Sequence, residues 1–262
     1  MLPVPNPTQL LIGAVSFLRI GGIIFTMPVF GDAPTPLQAR ICLSVGLTIW
    51  LYPFYSQAWD SVPFPNDLMI FFGLVIKELL IGVVLGLVAR LGFDGVVAAA
   101  GVVASQMGFG SARLFLADLE SEIDGFSALH RMLIMIIFLG LGLYSVFFSA
   151  LMESFRIIPP GGAHISGSLL TILTEATGSI LKIAIQLSAP VLIALLFTTA
   201  ALGLVSRAVP QLNAFSMSFP ISFLVGLIVY AATLPLFPDW LHSHFEETKE
   251  LLRAVLTSLG RS

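Results

Sequence analysis

Charge is what this chain has least of. Only 10% of its 262 residues are Asp, Glu, Lys or Arg, whereas 57% are hydrophobic. A soluble domain of this size carries about 25% charged residues, so this composition excludes a compact monomer in water. The net charge of −3 provides no basic field and excludes a nucleic-acid partner. A single cysteine, Cys42, excludes an internal disulfide and says nothing of the redox compartment. Lying in an apolar run, it reads as a small buried filler. No basic stretch precedes the first apolar run, where the first basic residue is Arg19, so the reading is that no signal peptide is cleaved and the first segment is kept.

Catalytic signatures are missing as well. There is no H-E-x-x-H, P-loop or G-x-S-x-G elbow. Four histidines, His130, His164, His242 and His244, have no cysteine cluster beside them. His242 and His244 are two apart, a poor helical metal pair. Asp94-Gly95 and Asp124-Gly125 lack the further aspartates of a metal-dependent lipid transferase. Asp118, Glu120, Glu122 and Asp124 alternate in a polar loop, which reads as solvated. The expectation is a non-enzyme with no cofactor and no metal.

Long apolar runs are what the chain does have. They cover roughly 9–30, 41–55, 68–90, 91–109, 131–152, 180–206 and 214–237. A helical span needs about 20 mostly apolar residues, so five or six crossings are expected. The runs are continuous rather than alternating, which excludes a transmembrane β-barrel. The fold class is therefore an all-α integral membrane protein. Asn6-Pro7 and Asn66-Asp67 read as helix starts. Pro53 reads as the end of the second run, with Trp50, Tyr52, Tyr55 and Trp59 forming an interfacial aromatic belt. The segments 56–67, 110–130 and 153–179 are polar enough to lie outside lipid, and Pro159-Pro160-Gly161-Gly162 suits no helix. In 238–262, Leu241, Phe245, Thr248, Leu252, Val255 and Leu259 form one face of an amphipathic helix that Asp239 could cap. Such a helix lies on the membrane or on its own protein, or docks on a partner.

Three features sit badly with plain lipid-facing spans. Arg19, Lys77, Glu78 and Lys182 lie inside apolar runs, where an ion at the bilayer centre costs at least ~2.5–3.5 kcal/mol. Adjacent on a helix, Lys77 and Glu78 point about 100° apart, so each needs its own partner, on this chain or another. Pro28, Pro190, Pro220 and Pro235 imply broken helices. Basic residues are scattered singly and set no orientation. Gly82 and Gly86 form a G-x-x-x-G pair that permits close helix approach.

Specific motifs then appear in order. The run from Leu202-Gly203 through Arg207, Pro210, Gln211, Asn213 and Phe215, continuing to Phe219-Pro220 and Gly226-Leu227, resembles the signature of the FliR/SctT family of export-gate subunits. Phe17-x-Arg19-x-Gly21, Pro28-x-Phe30-Gly31, Pro36-x3-Arg40, Glu78-x3-Gly82-x3-Gly86, Ala100-Gly101, Gln106-Met107-Gly108-x-Gly110, Ser154-Phe155 and Pro159-x-Gly161 are similar to the family's other landmarks. The resemblance covers about residues 10–237. It departs where Asp118 is followed by Leu119 rather than proline, and at Gly142-Leu143.

The resemblance implies broken helical hairpins packed into a multi-subunit, helical, ring-like assembly. Residues 1–165 would be FliP-like hairpins including a central loop, 106–125, and 166–262 a FliQ-like hairpin with an amphipathic tail. FliP-like, FliQ-like and FlhB-like subunits would be its partners, unfolded secreted flagellar proteins its cargo, and the basal body in the inner membrane its location. Met107, Gly108, Phe109, Gly110, Ser111, Arg113, Leu114 and Phe115 would plug the closed pore, apolar groups sealing it and glycines letting it move. By themselves these residues read as an ordinary turn. Arg19, Lys77, Glu78, Arg207, Pro210, Gln211, Asn213, Phe219 and Pro220 would be structural or subunit-interface groups. The rivals are an injectisome SctT-type subunit and a small-molecule permease with Lys77, Glu78 and Lys182 lining a midplane site.

Overall fold

A computed structural model describes residues 7–31, 35–59, 67–108, 125–164, 167–208 and 214–260, with the side chains of 56–59 and 214–216 left aside. Among these residues every regular element is a helix: α1 (Pro7–Thr26), α2 (Leu37–Trp59), α3 (Leu68–Gln106), α4 (Gly125–Gly140), α5 (Ser145–Ile157), α6 (Gly167–Ala208), α7 (Ala214–Thr233), a 3₁₀ turn (Leu234–Leu236) and α8 (Phe237–Gly260). By length and composition five helices suit a membrane crossing, and α4 with α5 would make a sixth. Large apolar side chains stand exposed along them, among them Ile49, Trp50, Phe54, Leu196, Phe197 and Ile228. Only lipid or neighbouring protein can cover such a surface.

Several boundaries differ from the hydropathy reading, each for a local reason. The runs 68–90 and 91–109 form one 39-residue helix, because nothing between them breaks it. At 39 and 42 residues, α3 and α6 are about twice as long as a span requires. Pro190 and Pro220 lie inside unbroken helices, and α2 continues through Pro53 to Trp59. A proline removes a single internal bond, which neighbouring helices can compensate. The chain instead breaks inside the presumed single run 131–152, at Leu141–Tyr144, where Gly142 takes φ +67°. Glycine enters that region without strain, and hydropathy does not register it. Cys42 is exposed, not buried, since an apolar run on a membrane protein has an outer face. Tyr55 is interior rather than interfacial. Asp67 accepts a hydrogen bond from the Met69 amide at 3.1 Å and starts α3 as expected. Asp239 lies within the first turn of α8 rather than before it.

The described chain divides into two compact units. The first takes residues up to Phe93, Leu143–Thr177 and His244–Ser262; the second takes Asp94–Gly142 and Gly178–Ser243. In the second, Gly95 faces Ile180 and Ile183 so closely that an added Cβ would meet the Ile180 Cα at 3.2 Å.

In the first unit, which takes α8 from His244 on, Phe245, Thr248, Leu252, Val255 and Leu259 of its amphipathic face are buried as the spacing predicts. His244 donates to the Gly92 carbonyl (3.1 Å), and the His164 amide donates to the Leu259 carbonyl (2.9 Å). Thus α8 folds back on its own chain. His242 is exposed while His244 is buried, so the two do not share a face.

The turn after α1 explains a further motif. Val29 has φ +72°, and the Phe30 amide donates to the Pro28 carbonyl (2.9 Å), closing a three-residue turn. A β-branched residue there is strained. At Gly31, a Cβ would meet the carbonyl oxygens of Met27 and Phe25 at 2.6 and 2.7 Å. Replacing Val29 with Gly should raise the melting temperature of the purified protein, relieving roughly 1 kcal/mol of backbone strain; a lower melting point would show that the Val29 side chain contributes more than its backbone costs.

Candidate functional site

The polar centre of the first unit is built around Arg19 on α1. Its side chain is fully buried. Nε donates to the Glu78 Oε2 at 2.7 Å, and Glu78, on α3, is equally buried. Nη1 donates to the carbonyls of Ser154 (2.9 Å) and Ile158 (3.2 Å). These carbonyls lie at the end of α5, where the helix dipole is negative; the Ser154 oxygen also accepts the Ile158 amide at 3.0 Å. The guanidinium also lies 4.9 Å from the ring centroid of Phe155, a cation–π distance. That ring stacks on Tyr55 of α2 at 4.6 Å.

Glu78 has a second task. Its Oε1 accepts the Gly161 amide at 2.9 Å, while neighbouring Lys77 donates Nζ to the Gly161 carbonyl, also at 2.9 Å. Two consecutive residues of α3 thus hold both polar groups of a single loop residue. Gly161 has φ +70°, which a side chain at this position would resist. Lys77 and Glu78 were expected to need different partners; on this chain Glu78 takes Arg19 as its counter-ion, and both residues share Gly161.

Glycines allow α1 to come this close to α3. A Cβ at Gly82 would strike the Arg19 carbonyl oxygen and stand 3.0 Å from the Gly22 Cα. A Cβ at Gly86 would strike the Thr26 hydroxyl. The G-x-x-x-G pair is therefore an intrachain crossing. Segments that read separately in the sequence, around 19, 78–86, 154–155 and 159–161, meet here as one latch tying α1, α3, α5 and the loop after α5.

The other candidate residues lie elsewhere. Met107 and Gly108 follow α3 in the second unit. Met107 is buried, and Gly108 has φ +99°. Phe109, Gly110, Ser111, Arg113, Leu114 and Phe115 lie outside the described residues, as do Pro210, Gln211 and Asn213. Arg207 is exposed in the last turn of α6. Phe219 and Pro220 are exposed on α7, and Lys182 is exposed on α6.

Sequence reading overlooked one polar cluster. His130 and Tyr230 are buried in the second unit. A carbonyl only accepts, so the contact of His130 Nε2 with the Val96 oxygen (3.1 Å) places the ring proton there. Nδ1 then accepts from the Tyr230 hydroxyl at 2.7 Å. A lone polar residue on an otherwise apolar helical face, at 130 and again at 230, was the available signal. Among the described residues, no group of three or more His, Cys, Asp or Glu is placed to hold a metal ion.

Fold and site together define a helical membrane protein whose buried charges fasten its own helices. The chain matches the bacterial export proteins, family 1, over residues 10–248, and it belongs to that family. It is similar to flagellar biosynthetic protein FliR of Pectobacterium carotovorum subsp. carotovorum, with 30% identity over 94% of this chain and 93% of the relative. FliR of Escherichia coli strain K12 is 27% identical, covering 92% and 91%. FliR of Aquifex aeolicus is 28% identical, covering 89% of each.

Proposed function

We propose that this chain is a structural subunit of the flagellar protein-export gate in the bacterial inner membrane. The family match across residues 10–248, with relatives named as flagellar biosynthetic proteins, carries this reading. Helices too long for single spans and faces too apolar for water suit a protein packed among other subunits. FliP-like and FliQ-like chains are the partners proposed for those faces, with an FlhB-like subunit joining them and unfolded flagellar proteins as cargo. Residues 1–165 are the proposed FliP-like part and 166–262 the FliQ-like part. Met107, Gly108, Phe109, Gly110, Ser111, Arg113, Leu114 and Phe115 are the proposed plug; of these, Met107 is buried within the chain.

The permease reading loses its centre, because Glu78 and Lys77 are occupied by Arg19 and Gly161. The flagellar naming of the relatives favours this system over an injectisome.

Deleting the gene should abolish swimming and secretion of flagellar filament proteins, and the detergent-extracted chain should bring down FliP- and FliQ-like proteins from its own cells. A deletion strain that swims and secretes normally, or a chain that copurifies with neither, would overturn the assignment.

A further inference from the structure

We propose that the stretch of α6 between Lys182 and Arg207 is immersed in lipid hydrocarbon, with these two cations bound to the phosphates of anionic phospholipids at its two ends. The inference concerns the chain's contact with the bilayer and holds whichever subunits cover its other helices.

Exposure along α6 changes character at Lys182. Before it the exposed residues are mostly polar or small, among them Thr171, Thr174, Glu175 and Gly178. Beyond it they are mostly apolar, and they are not confined to one face. Leu196, Phe197, Ala200, Gly203, Leu204 and Val205 are all exposed. At about 100° per residue they spread over more than half of the helix circumference. Leu196 and Phe197, adjacent in the chain, each keep 70% of their surface open. A single packed neighbour covers one stripe of a helix, whereas fluid hydrocarbon covers the whole arc.

Charge sets the limits of that stretch. Within 183–238 the only charged residue is Arg207. Lys182 and Arg207 are both exposed, and among the described residues neither is in an ion pair. They are 25 residues apart (182 to 207), about 37 Å of helix. A bilayer's hydrocarbon is about 30 Å thick, and about 40–45 Å with its headgroups, so a nearly upright helix sets each cation in a headgroup layer. There a lysine or arginine lays its stem along hydrocarbon and its charge among phosphates. The pattern recurs after Arg207: Leu224, Leu227 and Ile228 of α7 are exposed, and the next charge is Asp239.

The test returns the detergent-extracted protein to vesicles of phosphatidylethanolamine and phosphatidylglycerol. A trace of the phosphatidylglycerol carries a diazirine, either near the end of its acyl chain or on its headgroup. After illumination, adducts on the chain are mapped by mass spectrometry. Acyl-chain adducts should concentrate within 190–200, and headgroup adducts around Lys182 and Arg207. Lys182→Gln should lower the headgroup adducts at its own end about fivefold, the size of one lysine's attraction to an anionic surface, and leave those at Arg207 unchanged. A lack of acyl-chain adducts between Lys182 and Arg207 would overturn the proposal, since protein would then cover the stretch. Acyl-chain adducts equally abundant in 167–178, or headgroup adducts indifferent to Lys182→Gln, would overturn it as well. Capture of FliP- and FliQ-like chains in the same sample is scored separately. A complex with those chains but without the adducts sinks this inference alone; the adducts on a chain that captures neither sink the proposed function alone.

Discussion

Arg19→Met is expected to remove most of the folded protein, and adding Glu78→Met is expected to bring part of it back. Either single substitution leaves a charge buried without its counter-ion, which costs about 3–5 kcal/mol, a large share of any domain's stability. The double variant buries two apolar side chains of comparable volume instead. It still strands the Ile158 carbonyl and the Gly161 amide, each costing about 1–3 kcal/mol, so recovery should be incomplete. The measurement is monodisperse protein after detergent extraction, with the melting temperature of what survives. If the double variant loses as much as the two singles added together, Arg19 and Glu78 are not energetically coupled and the latch is not what holds these helices. Lys77→Met should be milder, because its side chain is exposed and contributes one bond to the loop.

Gly82→Ala should be nearly as damaging, while Gly73→Ala on the same helix should be harmless or stabilising. In a helix interior alanine is favoured over glycine by about 1 kcal/mol. At Gly73 nothing lies within 4 Å of an added Cβ, so that preference should be realised. At Gly82 the same methyl meets the backbone of Arg19 and Gly22, and backbone cannot rotate aside as a side chain can. Opening the crossing also draws Arg19 away from Glu78, so overpacking of about 1–3 kcal/mol is joined by loss of the ion pair. Opposite signs at the two glycines, read by melting temperature, are the expected result. Equal tolerance would mean that α1 and α3 do not approach closely at this point.

Much of this was legible in the sequence, though unevenly. Apolar runs announced the helices because hydrocarbon accepts few other structures, and the period of Leu241, Phe245, Leu252 and Leu259 announced α8. The cost of burying charge singled out Arg19, Lys77 and Glu78. What composition could not supply was the pairing. Arg19 and Glu78 are 59 residues apart and Arg19 and Ser154 are 135 apart, and no local rule links such distances. The break at Leu141–Tyr144 was hidden because hydropathy averages over residues, whereas a break can depend on one glycine's φ. Prolines misled in the opposite direction: Pro53, Pro190 and Pro220 look like breakers, but a long helix with neighbours keeps its course. Cys42 shows that an apolar run has two sides, and only packing reveals which one faces out.

The latch also carries a consequence for biosynthesis. Arg19 leaves the ribosome well before the residues that neutralise it. At roughly 5–20 residues per second, the 59-residue interval to Glu78 lasts about 3–12 s, and the acceptors at the end of α5 arrive later still. Throughout that interval a lone guanidinium sits in the middle of an otherwise insertable segment. Until α3 follows, α1 is therefore better held at the membrane surface or by the insertion machinery than released into the bilayer. The order of translation thus has the first helix reach its final depth only after the third has emerged.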